Sequence, residues 1–116
     1  MRLYGLSNCD SVKRARAWLQ QQGAEHTYHD FKTSGLPVDR LDAWIAAVGW
    51  QALVNRKGTT WRKLDASTQQ AVVDAASARA LMRAQPSLIK RPVVEWPGGE
   101  VTVAFDAERW AALLAR

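Results

Sequence analysis

The fold turns on residues 2–31, "RLYGLSNCDSVKRARAWLQQQGAEHTYHDF". Residues 2–6 are a short, largely apolar run, and Ser7 and Asn8 after them are turn residues, which predicts a strand and its end. Val12, Ala15, Trp18 and Leu19 then recur at helical spacing. Asp10 or Ser11 can cap that helix, and Gly23 is a stop signal. Residues 26–31, rich in Thr, Tyr and Phe, read as a second strand. Strand, helix and strand within this length make a βαβ unit whose strands run parallel.

Beyond it the pattern turns helical. Leu41, Trp44, Ile45 and Val48 share one face of a helix over 38–48, which Gly49 ends. A loop surrounds Lys57 and Gly58. Asp65 or Ser67 opens a helix carrying Ala71, Val72 and Ala75. A short helix restarts at Ser77, runs through Leu81 and Met82, and is closed by Pro86. "RPVVEW", Pro97-Gly98-Gly99 and "EVTVAF" read as a hairpin by their turn chemistry. Asp106 can cap a final helix with Trp110, Leu113 and Leu114 turned inward. The order β-α-β, helices, β-β-α predicts an α/β chain of thioredoxin-like type, with a four-stranded mixed sheet. The expectation is one domain over residues 1–116 with an all-helical insert at about 34–87.

Composition narrows the function. The chain has 116 residues, 47% of them apolar and six of them Trp. A chain of this size buries roughly two thirds of its unfolded surface, so it needs no disulfide or metal staple. Trp18, Trp44 and Trp110 lie on apolar helix faces and are expected in the core; Trp50, Trp61 and Trp96 lie near turns. The single Cys excludes an internal disulfide and a cysteine-based zinc site, and suits a reducing compartment. No apolar run is long enough for a signal peptide or a membrane span, so the expected location is the cytoplasm. The net charge of +5 fits anionic small molecules, an acidic protein or nucleic acid. The basic residues are scattered, with no aromatic–basic platform, so nucleic acid is not expected. His26 and His29 are three apart on a strand, where such residues face opposite ways; they are expected at the surface and no metal is expected.

Three stretches carry chemistry. Cys9 stands between a strand end and a helix start, among Ser7, Asn8, Asp10 and Ser11. Free helix amides and the helix dipole favour the thiolate there, and Lys13 and Arg14 can add to that effect. In "SLIKRPVV", 87–94, Pro92 begins a strand and Arg91 precedes it; a cis bond would turn the Arg91 backbone toward a ligand groove. In "NRKGTTWRK", 55–63, Arg56, Lys57, Arg62 and Lys63 flank a Gly-Thr-Thr turn and suit carboxylates or phosphates.

Taken together, "YGLSNCDSVKRARAWL", "ALVNRKGTTWRKL", "QPSLIKRPVV" and "VAFDAERW" resemble the arsenate-reductase-like (ArsC/Spx/YffB) family over nearly the whole chain, nearest its YffB-like branch. That resemblance implies a catalytic thiol at Cys9 and a substrate arginine at Arg91, beside a proline, Pro92, that is usually cis. It implies a possible glutathione-dependent thiol–disulfide reductase. No cofactor is bound, glutathione or another small anionic thiol is the co-substrate, and glutaredoxin is one candidate partner. Asn8, Ser11, Lys13, Arg14, Arg56, Lys57, Arg91 and Pro92 are then the expected substrate contacts, and a monomer is expected. Two alternatives come with the resemblance. One is a Spx-like regulator of RNA polymerase, although Cys9-Asp10-Ser11-Val12 has no second thiol for a disulfide switch. The other is arsenate reduction, for which the family uses three arginines; here the outer two positions fall on Asn55 and near Ala104.

Overall fold

In the computed structural model, which describes all 116 residues, the predicted βαβ unit is present. It comprises β1 (Arg2–Gly5), α1 (Asp10–Gln21) and β2 (Thr27–Asp30), with β1 and β2 parallel. Helix α1 ends as its sequence foretold. Gly23 takes φ +66°, and the Ala24 amide donates to the Leu19 carbonyl at 2.9 Å, so the last turn's carbonyls are satisfied. The helix start differs by one residue: Cys9, not Asp10 or Ser11, is the N-cap, with extended backbone at φ −96°, ψ 123°.

The hairpin follows as β3 (Val93–Glu95) and β4 (Val101–Val103), antiparallel, and β3 also pairs antiparallel with β1. The sheet is therefore mixed, in the order β2-β1-β3-β4. Its registers place Tyr28, Leu3, Val94 and Thr102 in one row across all four strands, and so on one face. On that face Val12, Ala15 and Leu19 of α1 and Trp110 of the last helix pack with Leu3, Val94 and Trp96. Trp96 is buried in this core, and its indole N–H donates to Thr102 Oγ1 at 2.9 Å. Trp110 sits in a cage of rings, with Phe105 at 4.9 Å, Trp96 at 5.4 Å and Trp18 at 6.0 Å between centroids. Gly5 permits the close approach of α1: a Cβ there would lie 2.5 Å from Val12 Cγ2. The opposite face carries Tyr4, whose hydroxyl donates to Glu95 at 2.7 Å. The short helix α2 (Phe31–Ser34) is capped by Asp30, which accepts from the Lys32 amide at 2.8 Å. His26 and His29 are half-buried and not simply at the surface. His29 Nε2 lies 2.7 Å from the Gly35 carbonyl oxygen, so that nitrogen must carry the hydrogen.

By internal packing the chain divides into two units, residues 1–35 with 91–116, just described, and 36–90. The second unit holds α3 (Val38–Val48), α4 (Trp50–Leu53), α5 (Thr59–Arg62), α6 (Ala66–Gln70) and α7 (Ala75–Ala84), then a 3-10 turn over Pro86–Leu88. Leu41, Trp44, Leu53, Met82 and Leu88 are fully buried. Two expectations need correction here. The helix opened by Asp65 ends at Gln70, and Ala71 lies just past it, because α7 starts separately at Ala75. The N-cap of α7 is Asp74 and not Ser77; the two form a reciprocal capping box that stops α6 and α7 from fusing. The insert is helical as expected, and one isolated antiparallel bridge joins Val54 to Ile89 at its end. In the first unit α8 (Ala107–Leu114) starts as expected, with Asp106 accepting from the Arg109 amide at 3.1 Å.

Candidate functional site

The one thiol sits where β1 hands over to α1. The Cys9 amide donates to the Leu6 carbonyl at 3.1 Å, which tightens the turn of Ser7 and Asn8 and presents the side chain at the mouth of the helix. Cys9 is half-buried. Burial pushes its thiol up, but the Val12 amide, the Arg91 guanidinium and the Ser11 amide together outweigh it, and the net shift is downward. The two amides face the sulfur closely enough to favour the thiolate, although neither completes a capping hydrogen bond.

Arg91 reaches this position from the far end of the sequence. It precedes Pro92 across a cis peptide bond, and Pro92 is buried at the entrance to β3. The Pro92 carbonyl accepts from the Ala104 amide at 3.0 Å, which ties the segment to the end of β4. Pairing of β3 with β1 then sets Arg91 beside the β1–α1 turn, where its guanidinium acts on the ionisation of the sulfur.

Of the other predicted contacts, Asn8, Ser11, Lys13 and Arg14 all lie in the turn and first turns of α1 that carry Cys9. Lys13 and Arg14 are exposed, and Arg91 is the cation that lowers the thiol. Arg56 and Lys57 belong to the second unit. There the Asn55 side chain folds over Gly58 and accepts from the Lys57 amide at 3.2 Å, forming a compact turn. Arg56 projects between two indoles, 5.6 Å from the Trp50 centroid and 5.5 Å from that of Trp61. Two residues outside the expected contacts, Arg16 and Tyr28, meet beside α1. The Arg16 guanidinium stacks 4.1 Å from the centroid of the Tyr28 ring. Arg16 follows Lys13 by one turn on the same flank, a signal that was legible; its aromatic neighbour comes from another element and was not. No three His, Cys, Asp or Glu side chains gather where a metal could be held, and no helix is long and apolar enough to cross a membrane.

A mixed β2-β1-β3-β4 sheet, with its one cysteine at the N-cap position of the first helix and an arginine–cis-proline pair entering β3, defines a thioredoxin-like α/β protein. The chain belongs to the ArsC family, which it matches over residues 4–113. It is similar to the solved structure of the YffB protein, with 46% identity, a TM-score of 0.90 and 97% of each chain covered. It is 35% identical to an uncharacterized protein of Haemophilus influenzae over 97% of both chains. The global transcriptional regulator Spx of Streptococcus pyogenes is 24% identical, over 94% of this chain and 81% of its own.

Proposed function

We propose that this protein is a glutathione-dependent thiol–disulfide reductase in which Cys9 is the single nucleophile. The observation that carries this reading is the Cys9 thiol, lowered by the Val12 amide, the Arg91 guanidinium and the Ser11 amide against the effect of its own burial. A thiolate is the attacking species in disulfide exchange, and one formed near ambient pH keeps much of its nucleophilicity. In the first step Cys9 Sγ attacks the glutathione sulfur of a mixed disulfide. The old S–S bond breaks, a Cys9–glutathione disulfide forms, and the substrate leaves as a thiolate that takes a proton from water. In the second step a glutathione thiolate attacks the glutathione sulfur of that adduct, returning Cys9 as thiolate and releasing glutathione disulfide. The balance is one mixed disulfide and one glutathione in, one free thiol and one glutathione disulfide out.

A second thiol must come from outside because the chain has one Cys. Arg91 suits the developing and departing negative charge, and the backbone beside Pro92 can pair with an extended peptide. Arsenate reduction has weaker support on this thiol. The outer arginine positions of that activity correspond to Asn55, whose side chain is engaged within its own loop, and to the neighbourhood of Ala104. The deciding experiment is mass spectrometry of the folded protein after incubation with glutathione disulfide. The expected result is one glutathionyl group on Cys9, removed by reduced glutathione and absent in Cys9→Ser. A folded wild type that forms no adduct overturns the reading.

A further inference from the structure

Beside the thiol runs an open groove of about 1070 Å3 that the exchange chemistry above leaves unused. One wall is the exposed flank of α1, where Lys13, Arg16, Ala17 and Gln20 fall in one row at helical spacing. The other wall is the chain from Gly23 to Tyr28, which leads into β2, an outer strand of the sheet. Ser7, in the turn that presents Cys9, also lines it. From Lys13 to Gln20 the helix advances about 10 Å, about the span of three extended residues.

The charged side chains of this groove, Lys13, Arg16 and Glu25, are sorted by position. Lys13 and Arg16 stand on the first two turns of α1, toward Cys9. Glu25 comes from the loop beyond the C-terminal end of the helix. A simple anion is attracted by the first pair and repelled by Glu25, whereas a molecule carrying both signs fits the arrangement along its length. Arg16 is also held in place, because its guanidinium rests on the ring of half-buried Tyr28 at 4.1 Å. The Tyr28 hydroxyl is buried on the side of Asp30, and it is the ring that meets Arg16.

We propose that this groove binds the non-reacting arm of a zwitterionic peptide thiol, with a carboxylate on Lys13 and Arg16 and the ammonium group at Glu25, Tyr28 serving as a positioning residue for Arg16. The inference rests on the reading of Cys9 as a thiol nucleophile and assigns the selectivity of that same site.

The test is non-covalent. S-methylglutathione, which has no thiol to exchange, is titrated into the reduced full-length protein while backbone amide shifts are followed. Shifts are expected along 13–20 and 23–28. Arg16→Gln and Glu25→Gln each raise Kd roughly fivefold, the scale of an exposed ion pair. Tyr28→Leu weakens binding in the same way as Arg16→Gln, while Tyr28→Phe, which keeps the ring, does not. With the N-acetylated ligand, which lacks the ammonium, Glu25→Gln changes nothing. An unchanged Kd in Arg16→Gln and Glu25→Gln, shifts confined to other surfaces, or no binding at all would overturn the groove. Glutathionylation of Cys9 is scored separately: an adduct without groove binding removes this inference alone, and groove binding without an adduct removes the exchange reading alone.

Discussion

At the scale of single residues the protein depends on one sulfur. The folded Cys9 thiol lies below the ordinary cysteine value, and Arg91 is one of the causes. Alkylation by iodoacetamide tracks the thiolate, so its rate is expected to stay flat with falling pH until below the usual midpoint of about 8.5. Arg91→Ala is expected to move the midpoint upward. The same shift has a consequence for stability, and its sign is fixed by linkage. A thiol more acidic in the folded than in the unfolded chain adds stability above the unfolded value, and that contribution disappears as pH falls through the folded value. Urea midpoints of wild type relative to Cys9→Ser, measured across roughly pH 6–10, are therefore expected to favour wild type increasingly toward the alkaline end. How much of this was legible varies by residue. Cys9 stands out in the sequence because polar turn residues surround it just before a helical pattern. Arg91 does not, because nothing in local spacing links it to a thiol near the opposite end of the chain. The proline at a strand start marked its segment, and the family resemblance tied it to the thiol. The pairing of Arg16 with Tyr28 was hidden for the same reason: helical and strand periodicities describe faces within elements, never the partner across them.

Elements are governed by their ends. Apolar periodicity located α1, α3 and α8 well, since each has one buried face and a clear stop or cap. It blurred the segment from 65 to 84, where Ala71, Val72 and Ala75 continue a helical rhythm that the backbone does not follow. The break is made by side chains. Asp74 accepts from the Ser77 amide at 2.8 Å, and Ser77 Oγ receives the Asp74 and Val73 amides at 3.1 and 3.0 Å. Those amides would otherwise serve a continuous helix. Asp74→Ala is expected to destabilise the protein through loss of this cap, read as a lower urea midpoint with an unchanged slope. The carboxyl is held below its ordinary range by the Ser77 amide and hydroxyl, so the difference between wild type and Asp74→Ala should narrow as pH falls through the folded carboxyl's range.

On the scale of the whole molecule, the first unit is organised by the row Tyr28, Leu3, Val94 and Thr102, with aromatic rings stacked above it. Trp110 is fully buried at the centre of that layer. Trp110→Ala is expected to destabilise the protein by about 3–5 kcal/mol, seen as a lower Tm together with loss of near-ultraviolet dichroism from the coupled indoles. A mixed four-stranded sheet could be reasoned from the sequence because a βαβ unit gives a parallel pair and a hairpin an antiparallel one. The burial of Trp96 could not, since a residue beside a Pro-Gly-Gly turn looks exposed until its indole is seen bonded to Thr102. The site joins the two extremities of the chain, Cys9 from the first strand–helix turn and Arg91 from the entrance to β3. On a ribosome making about 5–20 residues per second, Cys9 emerges several seconds before Arg91 has been polymerised. For that interval the nascent chain carries Cys9 without the guanidinium that helps to lower its thiol.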